Sequence, residues 1–283
     1  MTSNPISLAI IQRILVAVDG SDHSLAALEA AASLAAALQA ELEALFVEDI
    51  DLLRLADLPC SRVVSLLLLE AERTDRKRME RQLRVRAARA RAALQQRTEA
   101  LGIRTSFRSV RGKVTAEVVA AAAGSDILSL GKASHRRMRP AGGGSTLRAA
   151  LTAGRPLLVV ESPVPAGEGL LIVYDGSPAS GRALALAGQL AAGSSQGLRL
   201  LVLASSLAQA EGLAAQARER LAGMDITASL SHSSAKPYVA ILTAVRRLRP
   251  SLLLLGLEAE GEESLELAGR LLEAVNCPLL VVP

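Results

Sequence analysis

Residues 13–21 read Arg-Ile-Leu-Val-Ala-Val-Asp-Gly-Ser, and residues 170–177 read Leu-Leu-Ile-Val-Tyr-Asp-Gly-Ser. Each stretch is a short apolar run that ends in Asp-Gly-Ser, and each is followed by Ala- and Leu-rich segments with helical periodicity. Each half of the chain also closes on a proline and an apolar run, at 156–160 and 278–282. Repetition on this scale predicts two copies of one fold within a single chain.

The order of elements in each half is strand and helix in alternation, with five strands. In the first half we expect strands at about 13–18, 41–47, 104–110, 126–130 and 156–161. Apolar strands that alternate with helices are typical of a parallel sheet covered on both faces. We therefore predict an α/β protein made of two tandem doubly wound (Rossmann-like) domains, each with a five-stranded parallel sheet flanked by helices.

The junction between the halves is rich in Pro and Gly, which indicates a linker at 162–169. We accordingly place the domains at 1–163 and 169–283. In a doubly wound fold, ligands bind at the carboxyl ends of the strands. Asp19 and Gly131 follow the first and fourth strands, so they face one crevice if those strands are neighbours.

Composition limits the classes of protein that the chain can belong to. Half of the 283 residues are apolar, but only two Phe and two Tyr are aromatic, so the core must be built from Leu, Val, Ile and Ala. No apolar run reaches the roughly 18 residues of a membrane span, and we expect no export signal and no membrane partner. Cys60 and Cys277 are isolated and lack metal-ligand spacing, which fits a reducing, cytoplasmic setting.

A loop with the chemistry of a phosphate site follows the fourth strand. Gly131, Ser134, Gly144 and Ser145 have the spacing G-x2-S-x9-G-S, just before a helical stretch that starts near Thr146. Bare N–H groups and a hydroxyl at the start of a helix suit an anion. We expect Gly131 to turn the backbone away from the sheet at positive φ.

Together these features resemble the universal stress protein family in its tandem-domain form, over almost the whole chain. The resemblance rests on the two Asp-Gly-Ser strand ends, the second strand Leu45-Phe-Val-Glu-Asp49, Gly112 before the third helix, and the spaced loop. ATP-binding members of that family carry G-x2-G-x9-G-(S/T) after the fourth strand. In the first half Gly131, Gly144 and Ser145 match this pattern and Ser134 replaces the second glycine.

The second half follows the same pattern less closely. Gly256 and Gly269 match, whereas Ala259 and Arg270 stand in place of the second glycine and the hydroxyl residue. The resemblance implies that the first half is the nucleotide-binding copy. It also implies that the last strand of each half pairs with its counterpart, here within one chain as an intramolecular pseudo-dimer. A further homodimer between chains is left open.

The resemblance assigns roles to residues of the first half. Asp19 would contact the ribose, and the backbone of Val47 would contact the adenine. The residues expected around the phosphates are Gly131, Ser134, Gly144, Ser145 and Thr146. The implied cofactor is ATP, with Mg²⁺ left open. We expect no metal site built by the protein alone.

Charge separates the two halves. Residues 1–165 hold 23 Lys and Arg against 17 Asp and Glu, whereas residues 166–283 hold 9 against 11. The first loop carries the cations Lys132, His135, Arg136, Arg137 and Arg139, with Arg148 behind them. The matching second loop carries Glu258, Glu260, Glu262, Glu263 and Glu266. A triphosphate is attracted to the first loop and repelled by the second.

Other functions receive less support from the sequence. The basic stretch Arg73–Arg97 is interleaved with Glu, Asp, Ala and Leu, which is typical of a solvated amphipathic helix, so we expect no nucleic-acid partner. No Ser-His-Asp or Cys-His arrangement is present, so we expect no catalytic residues. Asp19 is interpreted as a ribose or Mg²⁺ contact, and Asp175 as the turn residue that caps the following helix.

The sequence thus predicts a cytoplasmic stress-response protein that binds ATP or a related adenine nucleotide in its first domain as a regulatory ligand. Its protein partner is not specified by the sequence. Two alternatives stay open. One is a nucleotide-free dimerising scaffold for protein contacts, and the other is a slow ATPase.

Overall fold

A computed structural model of the chain describes residues 11–56, 62–64, 71–73, 76–132, 154–161, 167–194, 196–222, 224, 226, 228–258 and 262–283. Within these ranges the strands and helices alternate along each half. All the structural statements below concern these residues.

Twelve strands are defined in this part of the chain. In the first half they are β1 (Arg13–Val18), β2 (Glu41–Asp49), β3 (Arg62–Val64), β4 (Ala71–Arg73), β5 (Thr105–Gly112), β6 (Ile127–Gly131) and β7 (Leu157–Val160). In the second half they are β8 (Leu170–Tyr174), β9 (Leu198–Leu203), β10 (Ala228–Ser233), β11 (Leu252–Gly256) and β12 (Leu279–Val282). Strands β3 and β4 form a separate antiparallel pair.

Eight helices are defined in the same ranges. In the first half they are α1 (Asp22–Leu38), α2 (Ile50–Ala56), α3 (Arg76–Glu99) and α4 (Val114–Ala122). In the second half they are α5 (Pro178–Ser194), α6 (Leu207–Leu221), α7 (Pro237–Leu248) and α8 (Glu262–Ala274).

Ten strands form one continuous sheet in the order β10-β9-β8-β11-β12-β7-β6-β1-β2-β5. Within this ten-stranded sheet, every pairing between strands of the first half is parallel, and so is every pairing between strands of the second half. Each half therefore contributes a five-stranded parallel sheet, which confirms the predicted fold class. The first and fourth strands predicted for the first half, β1 and β6, are neighbours as the crevice required.

The two halves meet at the centre of the sheet through their last strands. Strands β7 and β12 pair antiparallel, with Leu158 opposite Leu280. This is the pairing within one chain that the resemblance to the universal stress protein family implied. It relates the two parallel sheets by an approximate twofold axis, because the central pair runs in opposite directions.

Alternate side chains of each strand enter two different cores. On β1, Ile14, Val16 and Val18 face one cluster, whereas Leu15 and Ala17 face the other. Helices α1, α3, α5 and α6 contribute to the first cluster, and helices α4, α7 and α8 to the second. A period of two between opposite faces explains why inner strands such as β6 and β8 are almost entirely apolar, whereas the edge strands β5 and β10 carry polar residues.

The halves differ mainly in the crossover between their second and third strands. In the first half it contains α2, the β3–β4 pair and the long helix α3. In the second half the corresponding crossover contains only α6 among the described residues. The additional elements of the first half lie where they can cover the carboxyl ends of β1 and β2.

Candidate functional site

A cavity of about 750 Å³ lies at the carboxyl ends of β1 and β2. Helices α2, α3 and α4 close its sides, and most of its lining is aliphatic. Asp19 and Val47, which the sequence placed in one site, both line it. The structure therefore brings these two residues together.

The Asp19 side chain belongs to the turn that starts α1. Its Oδ1 accepts a hydrogen bond of 2.9 Å from the backbone N–H of Ser21. Gly20 between them has φ of +76°, a conformation that residues with a Cβ rarely adopt. The Ser21 hydroxyl accepts from the N–H of Ser24 at 3.3 Å and so caps the helix. The strand end is a rigid platform that fixes the Asp19 carboxylate at the cavity.

The second half repeats this turn with the same geometry. Asp175 Oδ1 accepts from the N–H of Ser177 at 2.9 Å, and Gly176 has φ of +83°. Burial opposes ionisation of Asp175, but hydrogen bonds from Ser177 and Ser180 outweigh it and hold the pKa of the carboxyl below its usual value. Both aspartates are turn residues, so the turn alone does not separate a ligand role from a capping role.

Gly131 does not have the positive φ that we expected, so that prediction is wrong. It is required instead by a close approach, because a Cβ built on Gly131 would lie 2.8 Å from the carbonyl oxygen of His23. Gly256 stands in the same relation to Ala179 at the start of α5. Both glycines let the first turn of a helix pack against the end of a strand.

Lys132 was counted among the cations of the first loop that attract a triphosphate, but its ammonium is engaged within the protein. Its side chain is buried, with Nζ 2.8 Å from Glu161 Oε1 and 3.3 Å from the carbonyl oxygen of Glu273. Glu273 lies in the last turn of α8, in the other half of the chain. The ammonium therefore already has partners within the protein, and its contact with Glu273 helps to hold the two halves together.

The rest of the predicted phosphate loop lies outside the described residues. This applies to four expected site residues, Ser134, Gly144, Ser145 and Thr146. It applies equally to the remaining cations of the loop, His135, Arg136, Arg137, Arg139 and Arg148. Their roles stay predictions from the sequence.

In the second half, the position of Gly269 lies in a helix and not in a glycine-rich loop. Gly269 lies inside α8, which begins at Glu262. Arg270 packs over the Tyr238 ring, with its guanidinium carbon 4.1 Å from the ring centroid. Gly269 thus matches the spaced pattern in sequence, but in the second half this position lies inside a helix.

Glu258 places a carboxylate at the start of α5. Its Oε1 accepts a hydrogen bond of 3.1 Å from the N–H of Ala179, in the first turn of that helix. Arg182 lies 3.8 Å from its other oxygen. An internal carboxylate thus satisfies an N–H group that would otherwise be available to an anion.

Two cations at the cavity were missed by the sequence reading. Arg86 belongs to the basic stretch that was interpreted as a solvated helix, and Lys113 was assigned no role, yet both line the cavity. A signal for Arg86 exists in the sequence. It lies three residues after the buried Leu83 and four before the buried Ala90, so it is placed beside the packed side of α3 although the residue itself is exposed.

The described residues contain no cluster of three or more His, Cys, Asp or Glu side chains that could hold a metal ion. Burial raises the pKa of the Cys277 thiol to about 11, so it is a poor nucleophile at neutral pH. Among the same residues, no helix combines the length and apolar character needed to cross a bilayer.

Comparison with solved structures supports the fold over nearly the whole chain. A universal stress protein from Archaeoglobus fulgidus DSM 4304 superposes with a TM-score of 0.67 at 16% identity, covering 95% of this chain and 97% of that one. A functionally unknown protein from Pseudomonas aeruginosa PAO1 gives a TM-score of 0.57 at 17% identity, with 96% and 92% covered. At these identities the likeness shows the fold alone.

The same fold also occurs in a different setting. The cytoplasmic domain of a prokaryotic cation chloride cotransporter matches with a TM-score of 0.51 at 15% identity, covering 96% of this chain and 95% of that one. No curated protein has a matching sequence. The model of the universal stress protein family matches residues 11–161, more than half of the chain. The chain belongs to the universal stress protein family.

Proposed function

We propose that this protein binds ATP or a related adenine nucleotide in its first half, as a regulatory ligand. The observation that carries the proposal is the cavity beside Asp19 and Val47. Its volume, about 750 Å³, falls within the range of small-molecule sites. It also lies at the carboxyl ends of parallel strands, where doubly wound folds bind their ligands.

The residues at the cavity suit the parts of a nucleotide. The Asp19 carboxylate is held by its turn and offers an acceptor to ribose hydroxyls. The backbone of Val47, near the end of β2, offers hydrogen-bonding groups to the edge of adenine. The aliphatic walls suit the faces of the base. For the phosphates we propose Gly131, Ser134, Gly144, Ser145 and Thr146, with Mg²⁺ as an optional companion of the phosphates.

The second half is proposed to be a structural partner without nucleotide. Glu258 already occupies the N–H of Ala179 at the start of α5, and Glu262 and Glu263 lie in the first turn of α8. Two like charges 4 Å apart repel by about 1 kcal/mol in water and by more where water is excluded. A phosphate at this position would meet several carboxylates.

The output is proposed to be regulatory rather than catalytic. The described residues contain no group of three or more His, Cys, Asp or Glu side chains that could hold a metal ion, and the sequence has no Ser-His-Asp or Cys-His arrangement, so we propose no residue to activate a water molecule. We propose a cytoplasmic protein with domains at 1–163 and 169–283, in which nucleotide occupancy alters contacts with a protein partner. A slow ATPase and a nucleotide-free scaffold remain the competing functions.

Calorimetry with ATP on the full chain tests this proposal, using Asp19→Ala and Asp175→Ala as a matched pair. Each substitution removes the equivalent turn hydrogen bond of its half, so the two should lower the free energy of unfolding by similar amounts. We expect one ATP per wild-type chain, strong weakening by Asp19→Ala and unchanged affinity in Asp175→Ala. If the wild-type chain gives no heat of binding with millimolar ATP, the nucleotide-free scaffold is favoured. Equal weakening by both variants would refute the location of the site.

A further inference from the structure

We propose that Arg86 of α3 binds the anionic group of the ligand in the first half, with Lys113 as a second cation. This inference rests on the proposed function and deepens it, because it assigns anion recognition to the crossover helix rather than to the glycine loop alone. It requires a phosphorylated ligand in this cavity rather than a neutral nucleoside.

The carboxylates of the cavity are already engaged within the protein. Asp49 Oδ1 accepts a hydrogen bond of 2.9 Å from the N–H of Asp51 at the start of α2. Asp51 in turn lies 3.4 Å from the guanidinium of Arg54. Asp19 accepts from the N–H of Ser21. These groups have local partners, so they do not require a cationic ligand.

The two cations of the cavity differ from these carboxylates. Within the described part of the chain, neither the side chain of Arg86 nor that of Lys113 makes a hydrogen bond or an ion pair. Other arginines of α3 do form ion pairs: Arg89 lies 3.3 Å from Asp22, and Arg97 lies 3.3 Å from Glu29. Arg81 of the same helix likewise makes no ion pair within the described residues, so Arg86 is distinguished by its place at the cavity and not by the lack of a partner alone.

The internal repeat supplies a comparison for Arg86. A Cβ built on Gly20 would lie 3.2 Å from the Cβ of Arg86, so α3 crosses directly over the Asp-Gly turn. In the second half the residue over the matching Gly176 is Leu213 of α6, whose Cδ2 would lie 2.5 Å away. An arginine thus stands over one turn and a leucine over the other.

Lys113 does not distinguish the halves. It occupies the N-cap of α4, and Lys236 occupies the N-cap of α7. Arg86 is therefore the cation of this cavity that only the first half has. Its planar guanidinium can donate two parallel hydrogen bonds to a phosphate, which leucine cannot do.

The test uses the full chain, two ligands and a matched control. Arg86→Gln removes the charge at the cavity and keeps a side chain that can pack. Arg81→Gln removes a charge from an exposed position of the same helix that is not among the residues lining the cavity. Arg86→Lys restores a positive charge without the guanidinium fork. The dissociation constants of ATP and adenosine are measured for each variant by calorimetry or by competition.

We expect Arg86→Gln to weaken ATP about tenfold, as the loss of one charge-assisted hydrogen bond implies, and to leave adenosine unchanged. Arg81→Gln should change neither constant, and Arg86→Lys should recover part of the loss. The inference is overturned if ATP affinity survives Arg86→Gln, or if adenosine weakens equally, since the residue would then act by packing. If wild-type protein binds neither ligand, the proposed function itself fails, and this inference with it.

Discussion

The ammonium of Lys132 lies 2.8 Å from the carboxylate of Glu161, so the residue after β6 is tied to the residue after β7. The side chain of Lys132 is 6% exposed and that of Glu161 is 33% exposed. The same ammonium donates to the carbonyl oxygen of Glu273, at the end of α8. One cation thus connects two strands of the first half to a helix of the second.

Replacing Lys132 by Ala is expected to lower the free energy of unfolding by about 2 kcal/mol, because a largely buried ion pair and a hydrogen bond to a helix terminus are lost together. Urea denaturation measures the change. Lys236→Met, at an exposed position, is the control and should stay within about 0.5 kcal/mol of wild type. A phosphate-binding role would give the opposite pattern, with nucleotide affinity lost and stability kept.

The sequence predicted the inner strands well because they are buried on both faces. Runs such as 13–18 and 126–130 have no alternative to a parallel sheet once each is followed by a helix. The strands and their duplication depend on local patterns, so one sequence was sufficient for them. The pairing of β7 with β12 was implied by the resemblance to the universal stress protein family.

The errors concern residues whose partners are distant in sequence. Lys132 reads as part of a basic loop, yet its carbonyl partner lies 141 residues away. Arg86 reads as one of many arginines on a solvated helix, and only the crossing of α3 over Gly20 places it at the cavity. Gly269 matches a spacing pattern although it lies within a helix. Spacing alone does not specify whether a glycine serves a turn, a close approach or neither.

The glycines at the ends of β6 and β11 provide a test of their packing role. Gly131→Ala and Gly256→Ala should each lower the free energy of unfolding by about 1–3 kcal/mol, because the new Cβ meets backbone atoms that cannot yield easily. Gly269→Ala is the control. A Cβ there would meet nothing within 4 Å, and alanine is favoured inside a helix, so it should stabilise by up to about 1 kcal/mol.

Denaturant unfolding of the three glycine variants measures these differences. If Gly131→Ala is as stable as wild type but no longer binds nucleotide, the glycine serves the ligand and the packing explanation is wrong. The packing explanation is supported if Gly269→Ala has a higher free energy of unfolding than wild type, and if Gly131→Ala and Gly256→Ala have lower ones.

Tyr174 at the end of β8 is fully buried, and its hydroxyl has no hydrogen-bond partner among the described residues. Tyr174→Phe removes this buried polar group and should raise the free energy of unfolding by about 1 kcal/mol. Tyr238 is partly exposed beneath Arg270, so Tyr238→Phe should leave stability nearly unchanged. Urea denaturation of the two variants measures the change in the free energy of unfolding that each substitution causes.

Titration of the phenol provides an independent check on the same residue. Burial raises the pKa of Tyr174 above its ordinary value of 10.0, and Arg220 opposes this only in part. Because Tyr174 and Tyr238 are the only tyrosines and tryptophan is absent, ultraviolet titration of Tyr238→Phe follows Tyr174 alone. The neutral phenol is favoured in the folded state, so its contribution to stability is complete below pH 10 and declines as the pH rises toward the folded-state pKa. A phenol that titrates at its ordinary pKa in the folded protein, together with no gain from Tyr174→Phe, would show that the hydroxyl reaches solvent.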